Sequence, residues 1–209
     1  MNSPKQLYES LFILYKCQLN IDRLHTLILE NRNQEADEND AILLAQYLLM
    51  EGLSFIVEFK ENMYKVAESE YKTRVQEIQK ITKPIFDRIN KWKDLGKYRN
   101  NIIAHPWRDS GKFAIPNDPS YNVPRNWVEI FILAHLLKYV WSMVQAEFMM
   151  EIGEAIIYID KTYPFNLIMH DSYSDLNEDH VRMARKVDQI RKEFKKPYFL
   201  KVEQFIFDD

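Results

Sequence analysis

The most regular stretch of the chain is residues 41–66, AILLAQYLLMEGLSFIVEFKENMYKV. Small and apolar residues recur in it at steps of three and four, the period of one helix face: Ala41, Leu44, Ala45, Leu48, Leu49, Gly52, Phe55, Ile56, Phe59, Met63 and Val66. Charged residues such as Glu58 and Lys60 fall on other faces. The stretch predicts a long amphipathic helix, and Gly52 on its apolar stripe predicts close approach by a second helix.

Similar patterns lie on both sides of this stretch. Before it, an apolar stripe starting after Pro4 predicts a helix of about seven turns that ends in the polar residues 31–40. After it, a stripe that includes Val75 and Ile78 reaches Pro84, where we expect a kink or a restart of the helix. One face then continues from Ile85 to Ile103.

The C-terminal half begins with a proline-rich segment, residues 106–124, which predicts a long loop. A fourth long helix is predicted from Trp127 to residues 156–159. Residues 163–175 have no regular pattern, residues 181–194 form a last amphipathic stripe, and the end of the chain reads as a short extended tail.

Glycine scarcity supports a helical fold. Only 4 of 209 residues are glycine, so the chain offers few of the tight corners that an all-β fold needs. We therefore predict an all-α fold, an antiparallel bundle of four long helices with one or two shorter helices. The pattern indicates a single domain over residues 1–209, with the core bundle at about 40–160 and an accessory helix and tail at 160–209.

Composition excludes several classes of function. The single cysteine, Cys17, rules out an internal disulfide framework and a thiolate zinc cluster, and no glycine-rich phosphate loop is present. The most apolar window, residues 128–144, contains Glu129, His135 and Lys138, so it indicates a buried helix rather than a membrane span. No secretory signal pattern occurs at the N-terminus, and we expect a cytoplasmic location with no membrane association.

One segment carries residues suited to chemistry, Tyr98 to Arg108, with the sequence YRNNIIAHPWR. Arg99 falls where the helical stripe calls for an apolar residue, and His105 ends the helix just before Pro106. An arginine side chain presents a planar fork to phosphate oxygens, and a histidine exchanges a proton near neutral pH. Six helical residues turn about 600°, so Arg99 and His105 lie about 120° apart and make a poor pocket alone.

The segment resembles the motif of the HEPN superfamily, an arginine followed by four to six residues and a histidine, with a polar residue directly after the arginine. Here the spacing is five residues and the polar residue is Asn100. The resemblance implies a homodimer through the motif helix, in which two Arg–His pairs meet in one cleft that cuts RNA without a metal or other cofactor. Arg99 would then hold the phosphate, His105 would transfer protons, and Asn100 would orient them.

The same resemblance suggests a protein of the toxin–antitoxin or phage-defence kind, with RNA as substrate and an antitoxin or a nucleotidyltransferase-like protein as partner. Residues around the motif are candidates for substrate contact: Tyr98, Asn101, Lys97, Trp107 and Arg108. The net charge is +4 over residues 85–112 and −7 over the rest, which favours a nucleic-acid-facing surface. The alternative for Lys91 and Lys93 is that they are ordinary solvent-exposed residues on a helix face, without a role in binding nucleic acid.

A non-catalytic module is the alternative. In that interpretation Arg99 and His105 form a buried pair that fixes helix ends or a dimer contact, and the protein binds a nucleotide or RNA or acts as a dimeric scaffold. Gly96, one turn before Arg99, is predicted to lie at a tight helix contact.

The remaining histidines and the cysteine are given structural roles. We expect His135 in the core, and the Asp22–His25 and His170–Asp171 pairs on the surface without a metal. Cys17 is predicted to be a partly buried structural thiol.

Overall fold

The computed structural model describes residues 4–33, 38–65, 69–100, 108–109, 112–113, 120–163 and 181–183. The chain divides into two compact units, Met1–Pro164 and Phe165–Asp209. In the second unit the described part is one helical stretch at residues 181–183, which is the start of the helix predicted over 181–194. The predicted C-terminal tail lies outside the described residues.

The first unit is built from helices: α1 Lys5–Asn33, α2 Glu38–Val57, α3 Ser69–Ile89, α4 Leu95–Tyr98, α5 Trp127–Glu147 and α6 Met149–Thr162. A π-helical turn, Glu58–Asn62, and a 3-10 turn, Met63–Lys65, extend α2. Two two-residue strands, β1 Arg108–Asp109 and β2 Lys112–Phe113, pair antiparallel, with Arg108 opposite Phe113. The other described residues are helices, turns and irregular connections, which confirms the all-α class.

Helix α1 is a core element. Its apolar stripe is fully buried at Leu7, Leu11, Leu14 and Ile28, and it packs against α2, α5 and α6. These side chains form one cluster with buried residues of α2 and α5, such as Leu48, Phe55, Leu133, Leu137 and Val144. Removal of this shared apolar surface from water is the main stabilising contribution to the unit.

Gly52 confirms the predicted close approach of a second helix. A Cβ added at Gly52 would lie 3.1 Å from Cδ1 of Leu137 and 3.7 Å from Cδ2 of Leu133, both on α5. The missing side chain therefore lets α5 pack directly on the backbone of α2.

Of the two outcomes expected at Pro84, a kink or a restart of the helix, the restart does not occur. Pro84 lies inside α3, which runs without interruption from Ser69 to Ile89. Proline removes one backbone donor, but the buried residues on both sides of it, Ile78 and Phe86, keep α3 packed in the core. The predicted continuous face from Ile85 to Ile103 is also wrong, because α3 ends at Ile89 and residues 90–94 turn the chain.

The fourth predicted helix is broken in two at Phe148. Its backbone angles, φ −117° and ψ 29°, are not helical, and they separate α5 from α6. Phe148 is fully buried, and the Arg74 guanidinium of α3 lies 4.3 Å from its ring centroid. Arg74 also donates to the Glu147 carbonyl and, at 2.5 Å, to the Glu151 carboxylate. Core packing of Phe148 and the charge of Arg74 thus stabilise the break.

Two glycines allow a matched test of the α2–α5 contact. Gly52→Leu is expected to destabilise the fold by about 1–3 kcal/mol, because the new side chain overpacks against Leu137. Gly153, exposed on α6 with no atom within 4 Å of an added Cβ, is the control: Gly153→Ala is expected to stabilise by about 0.5–1 kcal/mol through helix propensity. Urea unfolding measures both, and unchanged stability of Gly52→Leu would contradict the close packing.

Candidate functional site

The motif segment is positioned by a hydrogen-bonded turn. After α3, residues 90–94 form a turn, and Lys93 and Asp94 of this turn bind to Asn122, in the segment before α5. The Asp94 N–H donates to the Asn122 carbonyl at 3.1 Å, and the Lys93 N–H donates to Asn122 Oδ1 at 3.2 Å. In return the Asn122 N–H donates to Asp94 Oδ2 at 2.7 Å. Helix α4 begins directly after this turn.

Arg99 follows α4 and is exposed, as is Asn100. Nη1 of Arg99 donates to Oδ1 of Asn100 at 3.4 Å, so the arginine contacts the polar residue next to it. The sequence pattern placed Arg99 on an apolar stripe, and that placement is wrong because the turn at 90–94 interrupts the stripe. In this chain the Arg99 guanidinium is not buried and is accessible to a ligand or a second subunit.

The two residues before Arg99 have different surroundings. Tyr98 is buried, its ring packs edge-on against Tyr121 with centroids 5.6 Å apart, and burial raises its pKa. The expected stacking of Tyr98 on a base is therefore not available in this conformation, in which Tyr98 is a core residue. Lys97 stays on the surface, and its Nζ lies 5.1 Å from the centroid of the Tyr121 ring.

The other motif residues are less completely placed. Arg108 begins strand β1. Asn101, His105 and Trp107 lie outside the described residues, so the pairing of Arg99 with His105 stays a prediction.

A basic groove beside the motif was not anticipated from the sequence. It is a surface groove of about 660 Å³ between the end of α3, the turn at 90–94 and the segment before α5. Its charged lining consists of Arg88, Lys91, Arg125 and Glu129, and its aromatic lining of Trp92 and Tyr121. We call it the Arg88–Arg125 groove. The sequence signal for this groove was the net charge of +4 over residues 85–112, a segment that includes Arg88 and Lys91.

The acidic groups near the groove are engaged elsewhere. Asp87 pairs with Lys83 at 2.6 Å, and Asp94 accepts the Asn122 N–H. The Glu129 carboxylate accepts the Arg125 N–H at 2.8 Å, while the Asn126 side chain caps α5 by accepting the Glu129 N–H at 3.0 Å. The described lining residues include three cationic side chains and one carboxylate, which gives them a formal charge of +2.

Two histidines lie together far from the motif in sequence. The rings of His25 in α1 and His135 in α5 are edge-on with centroids 5.3 Å apart, and His135 Nδ1 lies 2.8 Å from the Phe131 carbonyl. Burial, then His135 and Lys138, lower the pKa of His25, while Asp22 opposes them. The expected core position of His135 is wrong, since it is exposed. No group of three potential metal ligands occurs in the part of the chain that the structure describes.

Two other sequence expectations have clear outcomes. Cys17 is buried, as expected for a structural thiol, and burial raises its pKa to about 12, so it stays protonated at neutral pH. Gly96 is exposed, and a Cβ added there would meet no atom within 4 Å. The tight contact expected at Gly96 is therefore absent among the residues that the structure describes.

Two helical stretches are long and apolar enough to span a membrane by length and composition, Asp40–Lys65 and Trp127–Glu147. Both supply residues to the core, and the core helix of a soluble protein meets the same criterion.

Comparison of the chain with protein-family models gives no match, and comparisons with curated proteins and with solved structures give none either.

The turn at 90–94 makes a prediction about stability. Asp94→Ala removes the acceptor of the Asn122 N–H and is expected to lower the free energy of unfolding by about 1 kcal/mol. Asp87→Ala is the control, because it removes only an exposed ion pair with Lys83, which contributes about 0–0.5 kcal/mol. Urea unfolding of the two variants gives both values. Equal losses would show that Asp94 does not anchor the turn.

The histidine pair predicts a pH dependence. The pKa of His25 is lowered in the folded state from the ordinary 6.5, so the unfolded state binds the proton more readily. Stability is therefore expected to fall as the pH drops below 6.5 toward the folded pKa, and His25→Gln is expected to reduce this slope. Thermal melts between about pH 7.5 and 5.5 measure it. The same slope in both proteins would contradict the shift.

Proposed function

We propose that this chain is a HEPN-like protein that acts as a metal-independent RNA endonuclease through a site shared by two subunits. The observation that carries the proposal is the exposed Arg99, whose guanidinium contacts the Asn100 amide in the motif's polar position. Tyr98, buried directly before Arg99, anchors the backbone that presents this arginine to solvent.

At the level of architecture, the proposal includes an antiparallel arrangement of the long helices. Only four residues connect the end of α1 at Asn33 to the start of α2 at Glu38, and the two helices pack together. Short connections of this kind join antiparallel neighbours in helix bundles. The packing of α5 on both α2 and α3 supports the same arrangement.

The proposed reaction uses the ribose 2′-hydroxyl as the nucleophile. His105 takes the 2′-hydroxyl proton, the 2′-oxygen forms a bond to phosphorus, and the bond from phosphorus to the 5′-oxygen breaks, with a second histidine protonating that leaving oxygen. Arg99 stabilises the negative charge on the phosphate oxygens, and Asn100 holds the guanidinium in position. The products are a 2′,3′-cyclic phosphate end and a 5′-hydroxyl end.

A dimer supplies the second histidine. Gly96 is exposed on α4, one turn before Arg99, and no atom of the described residues lies within 4 Å of a Cβ added there. A helix of a second copy is proposed to pack at this position. With RNA as the substrate, we expect the protein in the cytoplasm. We also expect a nuclease of the toxin or phage-defence kind to have a neutralising partner, either an antitoxin or a nucleotidyltransferase-like protein.

The test is cleavage of single-stranded RNA in EDTA. Wild type is expected to release cyclic-phosphate ends, and His105→Ala and Arg99→Ala are each expected to lose at least about 100-fold in rate. Lys72→Ala is the control, because Lys72 is exposed near the start of α3, at the opposite end of that helix from the turn that leads to the motif. Equal cleavage by wild type and His105→Ala would refute the catalytic role.

Light scattering on the same proteins separates the alternative. A wild-type dimer that never cuts RNA, and that Arg99→Ala converts to monomers, would favour the non-catalytic scaffold. Monomers throughout would refute a shared site in either form.

A further inference from the structure

We propose that the Arg88–Arg125 groove binds the sugar–phosphate backbone of single-stranded RNA and leads the strand to Arg99. This inference rests on the proposed nuclease function, but it concerns residues outside the motif. It assigns the groove a ligand class, a flexible phosphodiester chain, and a mode of recognition, contact with phosphates rather than with bases.

The cations of the groove come from three separate chain segments. Arg88 lies in the last turn of α3, Lys91 lies in the turn that follows, and Arg125 lies just before the N-cap of α5. The hydrogen bonds between Asp94 and Asn122 fix the second and third segments relative to each other. The positive charges are therefore held in a defined arrangement, which a ligand with several negative charges matches better than one with a single charge.

The aromatic rings of the groove do not offer stacking platforms. Trp92 is 6% exposed, and the Arg88 guanidinium lies 4.2 Å from its ring centroid. Tyr121 is 2% exposed, with Tyr98 against its ring and the Lys97 ammonium 5.1 Å from the ring centroid. Base stacking needs an open ring face. The groove is therefore suited to phosphates, and its recognition is independent of sequence.

Tyr121 connects the groove to the motif. Its carbonyl accepts a hydrogen bond from Arg125 Nη2 on the groove side, and its ring contacts Lys97, two residues before Arg99. Cationic side chains thus lie on both sides of Tyr121. A polyanion longer than one nucleotide is the ligand that contacts both groups. The Glu129 carboxylate is held at the start of α5, so the strand is expected to follow the Arg88 and Lys91 side of the groove.

The experiment measures binding apart from cleavage. The probe is a fluorescein-labelled 2′-O-methyl oligouridine about 12 nucleotides long, which lacks the attacking hydroxyl. Fluorescence anisotropy gives Kd for the full-length protein over a range of salt concentrations. Lys91→Gln is the main variant, because Lys91 is exposed and forms no ion pair within the described residues. Arg88→Gln is the second variant, with its fold checked by thermal melting.

Lys72→Gln is the matched control, a charge removal on the exposed surface of the same helix as Arg88 but near the opposite end. Lys91→Gln and Arg88→Gln are each expected to weaken binding by about 3- to 10-fold. Each is also expected to reduce the slope of log K against log salt by about 0.7 for a lost phosphate contact. Lys72→Gln is expected to match wild type.

The outcomes separate this inference from the proposed function. If wild type binds the probe and the groove variants bind equally well, the groove is not the RNA path. That result would not contradict the proposed cleavage by Arg99 and His105. If wild type does not bind the probe at all, the groove inference also fails. If the groove variants lose binding but His105→Ala still cuts RNA at the wild-type rate, the groove stands and the assigned catalytic site fails.

Discussion

The reciprocal pairing of the turn at 90–94 with Asn122 determines the geometry of the surface discussed above. A helix of four residues such as α4 does not hold its own direction, because helix formation is costly at the first turn. Its direction comes from its anchors, which are the Asn122 hydrogen bonds at its start and the buried side chains of Leu95 and Tyr98. The same pairing draws the segment before α5 against the end of α3, which creates the groove.

A second constraint lies at the other end of α5. The break at Phe148 leaves helix carbonyls without their helical donors, and such groups need partners when they are partly buried. Arg74 of α3 supplies one by donating from Nη2 to the Glu147 carbonyl, while its Nε and Nη1 donate to the Glu147 and Glu151 carboxylates. One guanidinium therefore links three helices. It also explains why an arginine lies beside the buried Phe148 ring.

Periodicity predicted the helices that bury a continuous stripe. The bounds of α1 and the close packing at Gly52 follow from positions three and four residues apart, because such patterns report one buried face. The breaks at 90–94 and at Phe148 were missed for the opposite reason. Both depend on partners distant in sequence, Asn122 and Arg74, and the apolar pattern continues across each break.

The site shows the same division between local and distant information. The contact between Arg99 and Asn100 is between neighbours, so a motif is able to indicate it. The groove joins Arg88 and Lys91 to Arg125, more than thirty residues later, and a spacing rule does not reach that far. For Tyr98 the local sequence was misleading. An aromatic residue in the motif suggested stacking on a base, whereas its ring is buried in the core.

Under the proposed function, a polyanion has to approach a chain whose net charge is negative. The whole chain carries −3, but fields from distant exposed charges are screened beyond about 8 Å at physiological salt. An approaching phosphate therefore senses mainly the nearest side chains. Among the described lining residues of the groove these are three cations and one carboxylate, and the carboxylate accepts a backbone N–H. Under the proposed function, the acidic remainder of the chain disfavours contact with nucleic acid away from this surface. The ion pair of Asp87 with Lys83 has a direct electrostatic consequence, because the lysine ammonium compensates the negative charge of a carboxylate on the helix that ends at the groove.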